Sequence, residues 1–284
     1  MRSASGRDMR EWPANERVAH VGLRGQVDGL RLVAGEACRI GVALADICDA
    51  PAGKRERQVL YGGQFLVLEQ RGGWAFGIAG RDGYVGYLPE AALIADQPAS
   101  HWVSAPATHL YATPDIKQPE AVGVSLGARL GVVAEVDQRF VQTDLGLFAL
   151  NAHLSPLGQW AGDPVAVALL FLGTPYLWGG NSRHGLDCSG LVQAAHLACG
   201  IACPGDSDQQ QAALGVALPE HEPLRRGDLL FWADHVALCI SETDLLHAVG
   251  FHMQVLVEPI ATVVARNLAL GAGPVTGRRR LPPA

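Results

Sequence analysis

The sequence has no long apolar run and no excess of basic charge. A helix that spans a membrane would need ~18 consecutive apolar residues, and no such stretch occurs. The N-terminal segment lacks the apolar core and the small-residue cleavage pattern of a secretory leader. A net charge of −6 gives no electrostatic footprint for nucleic acid. We therefore expect a cytoplasmic protein without membrane or nucleic-acid partners, and we interpret the basic C-terminal segment GRRRLPPA as a solvated tail.

Closely spaced cysteine pairs are also missing. The six cysteines are scattered and form no CxxC, which argues against a zinc ribbon or a redox pair. Four of them lie among apolar residues and are predicted to be small core side chains: Cys38, Cys48, Cys199 and Cys239. A disulfide framework is not expected in a chain without a leader. These patterns predict no metal and no cofactor.

The N-terminal half is patterned as β-structure. Short apolar runs separated by Gly, Asp and Pro predict a small antiparallel barrel over residues 37–96. After a segment rich in Pro and Ser, a second set of runs predicts another all-β unit over residues 100–158. Residues 1–36 are poorly patterned, and we expect them to form an extension, a hairpin or a helix, packed on the first barrel.

From Asp163 the hydrophobic pattern becomes helical. An Asp cap, a following Pro and a later Gly predict a short helix that starts at Asp163. A second helix is predicted to open at Asp187 and a third at Asp206, each with its Asp as cap. Four β runs and a final helical stretch follow. Residues 160–284 are therefore predicted to form an α+β domain.

Cys188 stands at the first turn of the predicted second helix, directly behind a loop rich in glycine. Unpaired backbone N–H groups and the positive end of the helix dipole favour a thiolate at that position. The same N–H groups can stabilise the oxyanion that forms when a carbonyl is attacked. The glycines of LWGGN and Gly185 are expected to let a substrate backbone come close. The placement predicts a nucleophilic cysteine.

Two histidines lie in the predicted strands and are candidates for the base that a cysteine nucleophile needs. His235 and His247 are 12 residues apart. A three-residue loop, 241–243, would place position 235 opposite 249 and put both rings on one face, whereas an even loop would put them on opposite faces. We predict the odd register, with His235 as general base and His247 fixing its tautomer.

Other interpretations of these residues stay open. A histidine on an apolar strand is commonly a packed, hydrogen-bonded residue, and two on one hairpin can arise by chance. Cys188, His235 and His247 could form a Cys–His–His metal site. The sulfur at a helix start, and the absence of a recognisable carboxylate to support the histidines, make that interpretation weaker. Asp228 is expected to shape a turn. Four further histidines belong to no constellation: His184, His196, His221 and His252.

Five blocks occur in order between residues 173 and 250: GTPYLWGGNSRHGLDCSGLV, CPGDSDQQ, RRGDLLFW, DHVALCI and LLHAVG. Together they resemble the NlpC-type cysteine peptidases of bacterial cell-wall metabolism. The resemblance implies a papain-like α+β fold and cleavage of γ-D-glutamyl amide bonds in peptidoglycan stem peptides. It implies Cys188 as nucleophile, His235 as base and His247 as third member. CPGDS replaces the usual PRDS, and Trp232 stands where Phe is frequent; neither departure touches the triad.

The two β units resemble bacterial SH3-like domains, most clearly over LYGGQFLVLEQRGGWAFGIAGRDGYVGYLPEAAL. With the peptidase region behind them, they resemble the cytoplasmic γ-D-glutamyl-L-diamino acid endopeptidases called dipeptidyl-peptidase VI. That resemblance implies a free murein stem peptide as substrate, L-Ala-γ-D-Glu followed by a diamino acid such as diaminopimelate, in peptidoglycan recycling. It leaves the preferred diamino acid and the oligomeric state open.

The resemblance also implies residues that bind substrate. Asp206 and Ser207 match the place where the family meets the free amine of L-Ala. Tyr176 is expected to join the oxyanion site or to contact the substrate carbonyl. Trp178 is expected to form a pocket wall, and Ser189 to hydrogen-bond substrate backbone.

Three further residues are nominated for substrate contact. Asp187 is expected to cap its helix, to touch substrate, or both. From the first barrel, Glu56 and Tyr84 are the expected acidic and phenolic partners, with Tyr87 as an alternative and packing as the competing role for either tyrosine. Two functions compete with the peptidase: a γ-glutamyl amidase or acyltransferase on another substrate, and a catalytically silent peptidoglycan-binding protein.

Overall fold

The computed structural model describes residues 7–282. The described chain divides into two compact units, with the boundary between Leu157 and Gly158. Each unit has sheets and a hydrophobic core of its own. Within the described range, no helix has both the length and the apolar character that a membrane crossing requires.

The first unit is built from short strands joined by turns. Over residues 7–157 the strands are β1 (Val18–His20), β2 (Arg31–Val33), β3 (Glu36–Ile40), β4 (Leu44–Cys48), β5 (Arg55–Leu60), β6 (Gln64–Arg71), β7 (Trp74–Ala79), β8 (Val85–Pro89), β9 (Leu93–Ala95), β10 (His101–Val103), β11 (Ala107–Tyr111), β12 (Glu120–Ser125), β13 (Arg129–Leu130), β14 (Val132–Glu135), β15 (Phe140–Thr143), β16 (Phe148–Leu150) and β17 (Leu154–Pro156). Single 3₁₀ turns follow β1, β8 and β16: Val21–Leu23, Glu90–Ala92 and Asn151–His153.

Seven of these strands form one antiparallel sheet in the order β5-β4-β8-β7-β6-β3-β9. Its alternating residues bury Ile40, Phe65 and Leu88 in a common core, as period-2 patterning requires. The predicted runs around β6, β7 and β8 are confirmed as strands. β5 was not recognised because RERQVL reads as polar, yet its register against β4 buries Arg57 and Val59.

The later strands of the first unit form a five-stranded sheet, β12-β11-β16-β15-β14, and a three-stranded sheet, β13-β10-β17. Their core contains Val103, Leu110 and Leu130 and also takes in Leu60 and Tyr61 from the end of β5. The two sets of sheets therefore share apolar contacts. The boundaries given above for the two barrels, 37–96 and 100–158, stay a prediction.

The N-terminal extension differs from the expected hairpin or helix. Strands β1 and β2 pair in parallel, with Val18 opposite Arg31, so the chain between them must cross over rather than turn as a hairpin. Val18 packs against Leu68, Phe76 and Val85, which places the extension on the first sheet. Residues 1–6 of the predicted extension lie outside the described residues.

The second unit combines four helices with one main sheet over residues 158–282. Its elements are α1 (Pro164–Leu169), β18 (Asn181–Ser182), β19 (Gly185–Leu186), α2 (Cys188–Ala198), α3 (Ser207–Ala213), β20 (Val216–Ala217), β21 (Leu229–Trp232), β22 (His235–Cys239), β23 (Asp244–Val249), β24 (Gln254–Pro259), α4 (Ile260–Ala269) and β25 (Gly277–Arg280). The predicted order of helices first and a strand meander second is confirmed.

The predicted helix starts are confirmed, with one difference in capping. The Asp163 carboxylate accepts the backbone N–H of Val165, so it caps α1 as expected. This helix ends at Leu169, before the predicted stop at Gly173. Asp206 occupies the N-cap position of α3, but its side chain does not accept a capping hydrogen bond. The expectation that Asp206 caps through its carboxylate is therefore wrong.

The six-stranded sheet has the order β20-β25-β21-β22-β23-β24. Because β25 lies inside it, the interpretation of GRRRLPPA as a solvated tail is wrong for Gly277–Arg280. The guanidinium of Arg280 donates to both carboxylate oxygens of buried Asp228, at 2.8 and 2.7 Å. Asp228 also accepts the N–H of Arg225 at 2.8 Å, which confirms its predicted role in the turn before β21.

The hairpin of β22 and β23 has the predicted register. Leu238 lies opposite Leu246 and Cys239 opposite Leu245, and the chain turns over residues 241–243. Continued along the strands, this register places position 235 across from 249. Helix α2, which begins at Cys188, packs against both strands.

Candidate active site

Asp187 organises the start of α2. Its Oδ1 accepts the backbone N–H of Gly190 at 2.6 Å and the hydroxyl of Ser189 at 3.1 Å. Its Oδ2 accepts the N–H of Gly179 at 2.8 Å. The predicted cap is thus confirmed, and the same carboxylate ties the glycine loop to the helix. Buried Cys188 is the first helical residue, at the positive end of the helix dipole.

The nearby glycines serve the packing of the chain itself. A Cβ on Gly180 would lie 2.5 Å from the carbonyl oxygen of Gly185, and one on Gly185 would lie 2.4 Å from Cβ of Leu177. Gly190 likewise has the carbonyl oxygen of Gly180 at 2.3 Å from its Cβ position. The expectation that Gly180 and Gly185 make room for substrate is wrong, because protein atoms already fill that space.

Tyr176 lies next to the nucleophile position. Its backbone N–H donates to the carbonyl of Met253 at 2.9 Å, which fixes the residue beside the loop after β23. Burial raises the pKa of the Tyr176 phenol, and the proximity of Cys188 and Asp187 raises it further. The hydroxyl therefore stays protonated and can donate a hydrogen bond. Trp178 is 62% exposed, and its role as a pocket wall stays a prediction.

The two predicted histidines meet. Nε2 of His235 lies 2.8 Å from Nδ1 of His247, and the ring centroids are 5.0 Å apart. His235 is half-buried and packs beside Trp232, while His247 is fully enclosed. The hydrogen bond expected from the odd register is confirmed.

A carboxylate that the sequence analysis did not recognise stands behind His247. Oε2 of Glu258 lies 2.9 Å from Nε2 of His247. Arg266 on α4 holds Glu258 with two hydrogen bonds, at 2.6 and 2.8 Å. His252, which we had placed in no constellation, has its Nε2 3.3 Å from Oε1 of Glu258. The stated absence of a carboxylate to support the histidines is therefore wrong.

Burial and charge set the protonation states of His235, His247 and Glu258, which form a hydrogen-bonded row. Desolvation lowers the pKa of His235 to about 3, with His247 as the next cause. Desolvation likewise lowers the pKa of His247 to about 4, against the opposing hydrogen bond from Glu258. Arg266 is the main reason that the pKa of Glu258 falls to about 2. At neutral pH the site therefore holds two neutral imidazoles and one carboxylate.

The residues nominated for substrate binding in the second unit occupy different settings. Asp206 and Ser207 are partly exposed at the start of α3. Buried Gln210 on the same helix donates to the carbonyl of Ser189 at 2.9 Å, which joins α3 to the start of α2. The hydroxyl of Ser189 donates to Oδ1 of Asp187, and its hydrogen bond to substrate backbone stays a prediction.

Glu56, Tyr84 and the alternative Tyr87 lie in the first unit, where all three line one cavity of about 900 Å³. Tyr84 is 4% exposed and belongs to the core of the seven-stranded sheet. Tyr87 is less buried and packs against Phe76, with ring centroids 4.9 Å apart. Contact of Glu56 and Tyr84 with substrate stays a prediction.

Over residues 7–282, no three His, Cys, Asp or Glu side chains are grouped so that they could hold a metal ion. Nδ1 of His247 faces Nε2 of His235, and Nε2 of His247 faces Glu258. Both nitrogens of His247 are thus engaged in hydrogen bonds. His235, His247 and Glu258 are therefore linked in one row by hydrogen bonds.

Two parts of this chain are similar to known protein families. The model of the NlpC/P60 family matches residues 173–270, and that of the bacterial dipeptidyl-peptidase Sh3 domain matches residues 47–93. A gamma-D-glutamyl-L-lysine dipeptidyl-peptidase of Bacillus subtilis is 32% identical over 218 residues, 68% of this chain and 72% of that protein. The chain belongs to the NlpC/P60 family. A Bacillus cereus protein of the same name is 28% identical to this NlpC/P60 chain over 244 residues, 74% of it and 72% of the relative.

The crystal structure of an NlpC/P60 family protein from Bacillus cereus shares the fold. It covers 87% of this NlpC/P60 chain and 100% of its own, with a TM-score of 0.74 at 24% identity. The expected α+β class, with an SH3-like N-terminal domain and an NlpC/P60 catalytic domain, is confirmed. The NlpC/P60 protein is a cysteine-type peptidase.

Proposed function

We propose that this peptidase hydrolyses the amide bond between γ-D-Glu and the following diamino acid in free murein stem peptides that begin with L-Ala. The setting we propose is peptidoglycan recycling in the cytoplasm. The observation that carries the chemical part is the 2.8 Å hydrogen bond between His235 and His247, on a sheet against which the helix of Cys188 packs. The two Bacillus relatives are named gamma-D-glutamyl-L-lysine dipeptidyl-peptidases, which supports the γ-D-glutamyl bond as the one cleaved.

In the proposed reaction the thiol of Cys188 gives its proton to His235, and the sulfur bonds to the γ-carbonyl carbon of D-Glu. The C–N bond then breaks, and His235 returns the proton to the leaving α-amine of the diamino acid. A water molecule attacks the thioester, His235 takes its proton, and the C–S bond breaks as the thiol is restored. The products are L-Ala-γ-D-Glu and the released diamino acid.

The oxyanion of each tetrahedral intermediate needs donors. The backbone N–H groups at the start of α2 are one source, and the dipole of this 11-residue helix adds to their effect. The hydroxyl of Tyr176 is the second proposed donor. Its raised pKa supports this role, because a phenol that stays protonated can donate throughout the reaction.

Asp206 and Ser207 are the proposed contacts for the ammonium of L-Ala. A carboxylate that pairs with a free amine favours substrates with an unblocked N-terminus. Ser189, Asp187 and Trp178 are proposed to line the subsite next to the scissile bond. Of these, Asp187 acts mainly through the helix start that it holds.

The direct test is digestion of L-Ala-γ-D-Glu-diaminopimelate and L-Ala-γ-D-Glu-L-Lys, with products identified by mass spectrometry. We expect the dipeptide L-Ala-γ-D-Glu from at least one peptide, and no turnover by Cys188→Ala. Cys199→Ala, at the other end of the same helix, is the matched control and should keep activity. Absence of dipeptide with the wild-type protein would reject the proposal, and transfer to an added amine would indicate an acyltransferase.

A second pair of substrates tests the free N-terminus. We expect acetylation of L-Ala to raise KM at least tenfold for the wild-type protein. Asp206→Asn should raise KM for the free peptide and leave turnover of the acetylated one unchanged. Equal turnover of both peptides by the wild-type protein would remove the role of Asp206.

A further inference from the structure

Three ionisable side chains step diagonally across three neighbouring strands. His235 lies on β22, His247 on β23 and Glu258 on β24. On β24 the residue opposite His247 is Leu256, and the one opposite Leu245 is Glu258, so Glu258 is the diagonal neighbour of His247. His235 stands in the corresponding diagonal position on the other side of His247. All three side chains therefore point to one face of the sheet.

The end of the row determines where the protons lie. An ionised carboxylate can only accept hydrogen bonds. Nε2 of His247 must therefore carry its proton and donate it to Glu258, at 2.9 Å. Because a neutral imidazole has one N–H, Nδ1 of His247 is then an acceptor. It receives the Nε2–H of His235, at 2.8 Å.

The outer ring of the row is that of His235. His235, neutral and protonated at Nε2, has an unprotonated Nδ1. That nitrogen is the atom able to take a proton from a thiol. A protonated Glu258, or an amide in its place, could donate to His247 instead and reverse both tautomers.

Arg266 keeps Glu258 in the accepting state. Its fork donates to both carboxylate oxygens, at 2.6 and 2.8 Å, a geometry that fixes a carboxylate better than a single contact does. The Arg266 guanidinium also lies over the ring of Phe251, 4.8 Å from its centroid. Phe251 belongs to the loop after β23, so this contact helps to hold the arginine in place.

We propose that Glu258, held by Arg266, is a positioning residue that sets the tautomers of His247 and His235 and thereby leaves Nδ1 of His235 as the basic atom. The inference deepens the proposed function, since it rests on His235 acting as the base for Cys188. Glu258 acts only through His247 and touches no substrate atom.

The two partners have opposite charges and hence opposite effects on the histidines. The negative charge of Glu258 favours protonated imidazole, and the positive charge of Arg266 disfavours it. His252, from the loop after β23, also faces the row, with its Nε2 3.3 Å from Oε1 of Glu258. Helix α2, which begins at Cys188, packs against β22 and β23. Removal of Glu258 should lower the apparent pKa of the base, and neutralisation of Arg266 should raise it.

The first experiment is the pH profile of kcat/KM for Glu258→Gln, Arg266→Gln and Arg266→Lys. We expect Glu258→Gln to lose at least tenfold in kcat with little change in KM. The acidic side of its kcat/KM profile, here called the acid limb, should move to lower pH. Arg266→Gln should move that limb to higher pH. Arg266→Lys keeps the charge and should leave the limb near its wild-type position. Shifts in the same direction for Glu258→Gln and Arg266→Gln would overturn the inference.

Asp228→Asn is the matched control. Asp228, in the turn before β21, is also a buried carboxylate held by two donors of one arginine. Its partner is Arg280, and no histidine is among its hydrogen-bond partners. We expect this variant to lose stability and to keep the position of the acid limb. A shift of the limb comparable to that of Glu258→Gln would show that general loosening of the sheet, and not tautomer control, moves it.

The second experiment needs no turnover. In protein labelled with ¹⁵N-histidine, long-range ¹H–¹⁵N correlation spectra report which ring nitrogen carries the proton. We expect Cys188→Ala to show both rings protonated at Nε2, and Cys188→Ala/Glu258→Gln to show His247 protonated at Nδ1. If Cys188→Ala alone already shows Nδ1–H at His235, the inference is wrong, whatever the activity. Retained activity in Cys188→Ala would instead reject the proposed function.

Discussion

Leu238 lies directly opposite Leu246 in the hairpin of β22 and β23. Neither side chain takes part in chemistry, yet this pairing decides where two imidazoles point. A slip of one residue would turn His247 to the other face of the sheet and break its 2.8 Å hydrogen bond with His235. The candidate site therefore depends on the turn length as much as on the identity of its histidines.

Asp187 should contribute more to the free energy of unfolding than an ordinary helix cap does. Asp187→Ala removes an acceptor from Gly179, Gly190 and Ser189 in a buried setting, and each buried donor left unpaired costs about 1–3 kcal/mol. We expect a loss of about 3 kcal/mol or more in the free energy of unfolding, measured by urea titration. Asp163→Ala, at the more exposed cap of α1, should cost about 1 kcal/mol. Equal losses would contradict the multiple role of Asp187.

The glycine loop should tolerate no side chain at Gly180. A Cβ there meets the backbone oxygen of Gly185 at 2.5 Å, which cannot move aside as a flexible side chain would. Overpacking of this kind costs about 1–3 kcal/mol, so we expect Gly180→Ala to lower the thermal midpoint. Gly162→Ala, whose Cβ meets nothing within 4 Å, is the control and should leave the midpoint unchanged or raise it.

Stability should fall on mild acidification because the two histidines are buried as neutral rings. Their folded pKa values of about 3 and about 4 lie below the ordinary value near 6.5. Between these limits the unfolded chain binds more protons, so the free energy of unfolding rises with pH and levels off above about pH 6.5. Each proton contributes at most about 1.4 kcal/mol per pH unit.

Denaturant titrations between pH 4 and pH 8 would measure this slope. His247→Gln should flatten the profile below about pH 6.5, whereas above about pH 7 its slope should coincide with that of the wild-type protein. Parallel profiles over the whole range would show that His247 does not carry the effect.

The C-terminal strand should be required for the fold of the second unit. Strand β25 pairs with β20 and with β21, so a chain that ends at Thr276 loses both ladders and the Arg280–Asp228 ion pair. We expect that truncation to lower the thermal midpoint strongly, as seen by circular dichroism. A chain that ends at Leu281 keeps β25 and serves as control. Similar midpoints for the two would argue that the segment is dispensable.

The sequence was most informative where spacing and local chemistry act together. The cap at Asp187, the helix start at Cys188 and the odd turn between His235 and His247 are local features, and the structure shows all of them. Glu258 escaped prediction because its distance from His247 depends on the register across the GFHM turn, and turns of two to five residues are all common there. The role of β25 was missed because the partner of Arg280 is 52 residues away.

Leu60 and Tyr61 lie at the end of β5 in the seven-stranded sheet but belong to the core of the later sheets of the first unit. This shared packing limits where the chain can be truncated. The N–H of Arg129 donates to the carbonyl of Tyr61, and Gly62 is packed so closely on Arg129 that no Cβ would fit. A gene fragment that stops at residue 96 would expose the apolar side chains of Leu60 and Tyr61 and aggregate. Recombination between relatives would have to exchange the seven-stranded sheet and the later sheets of the first unit together. A chimaeric protein should therefore have its junction near Leu157.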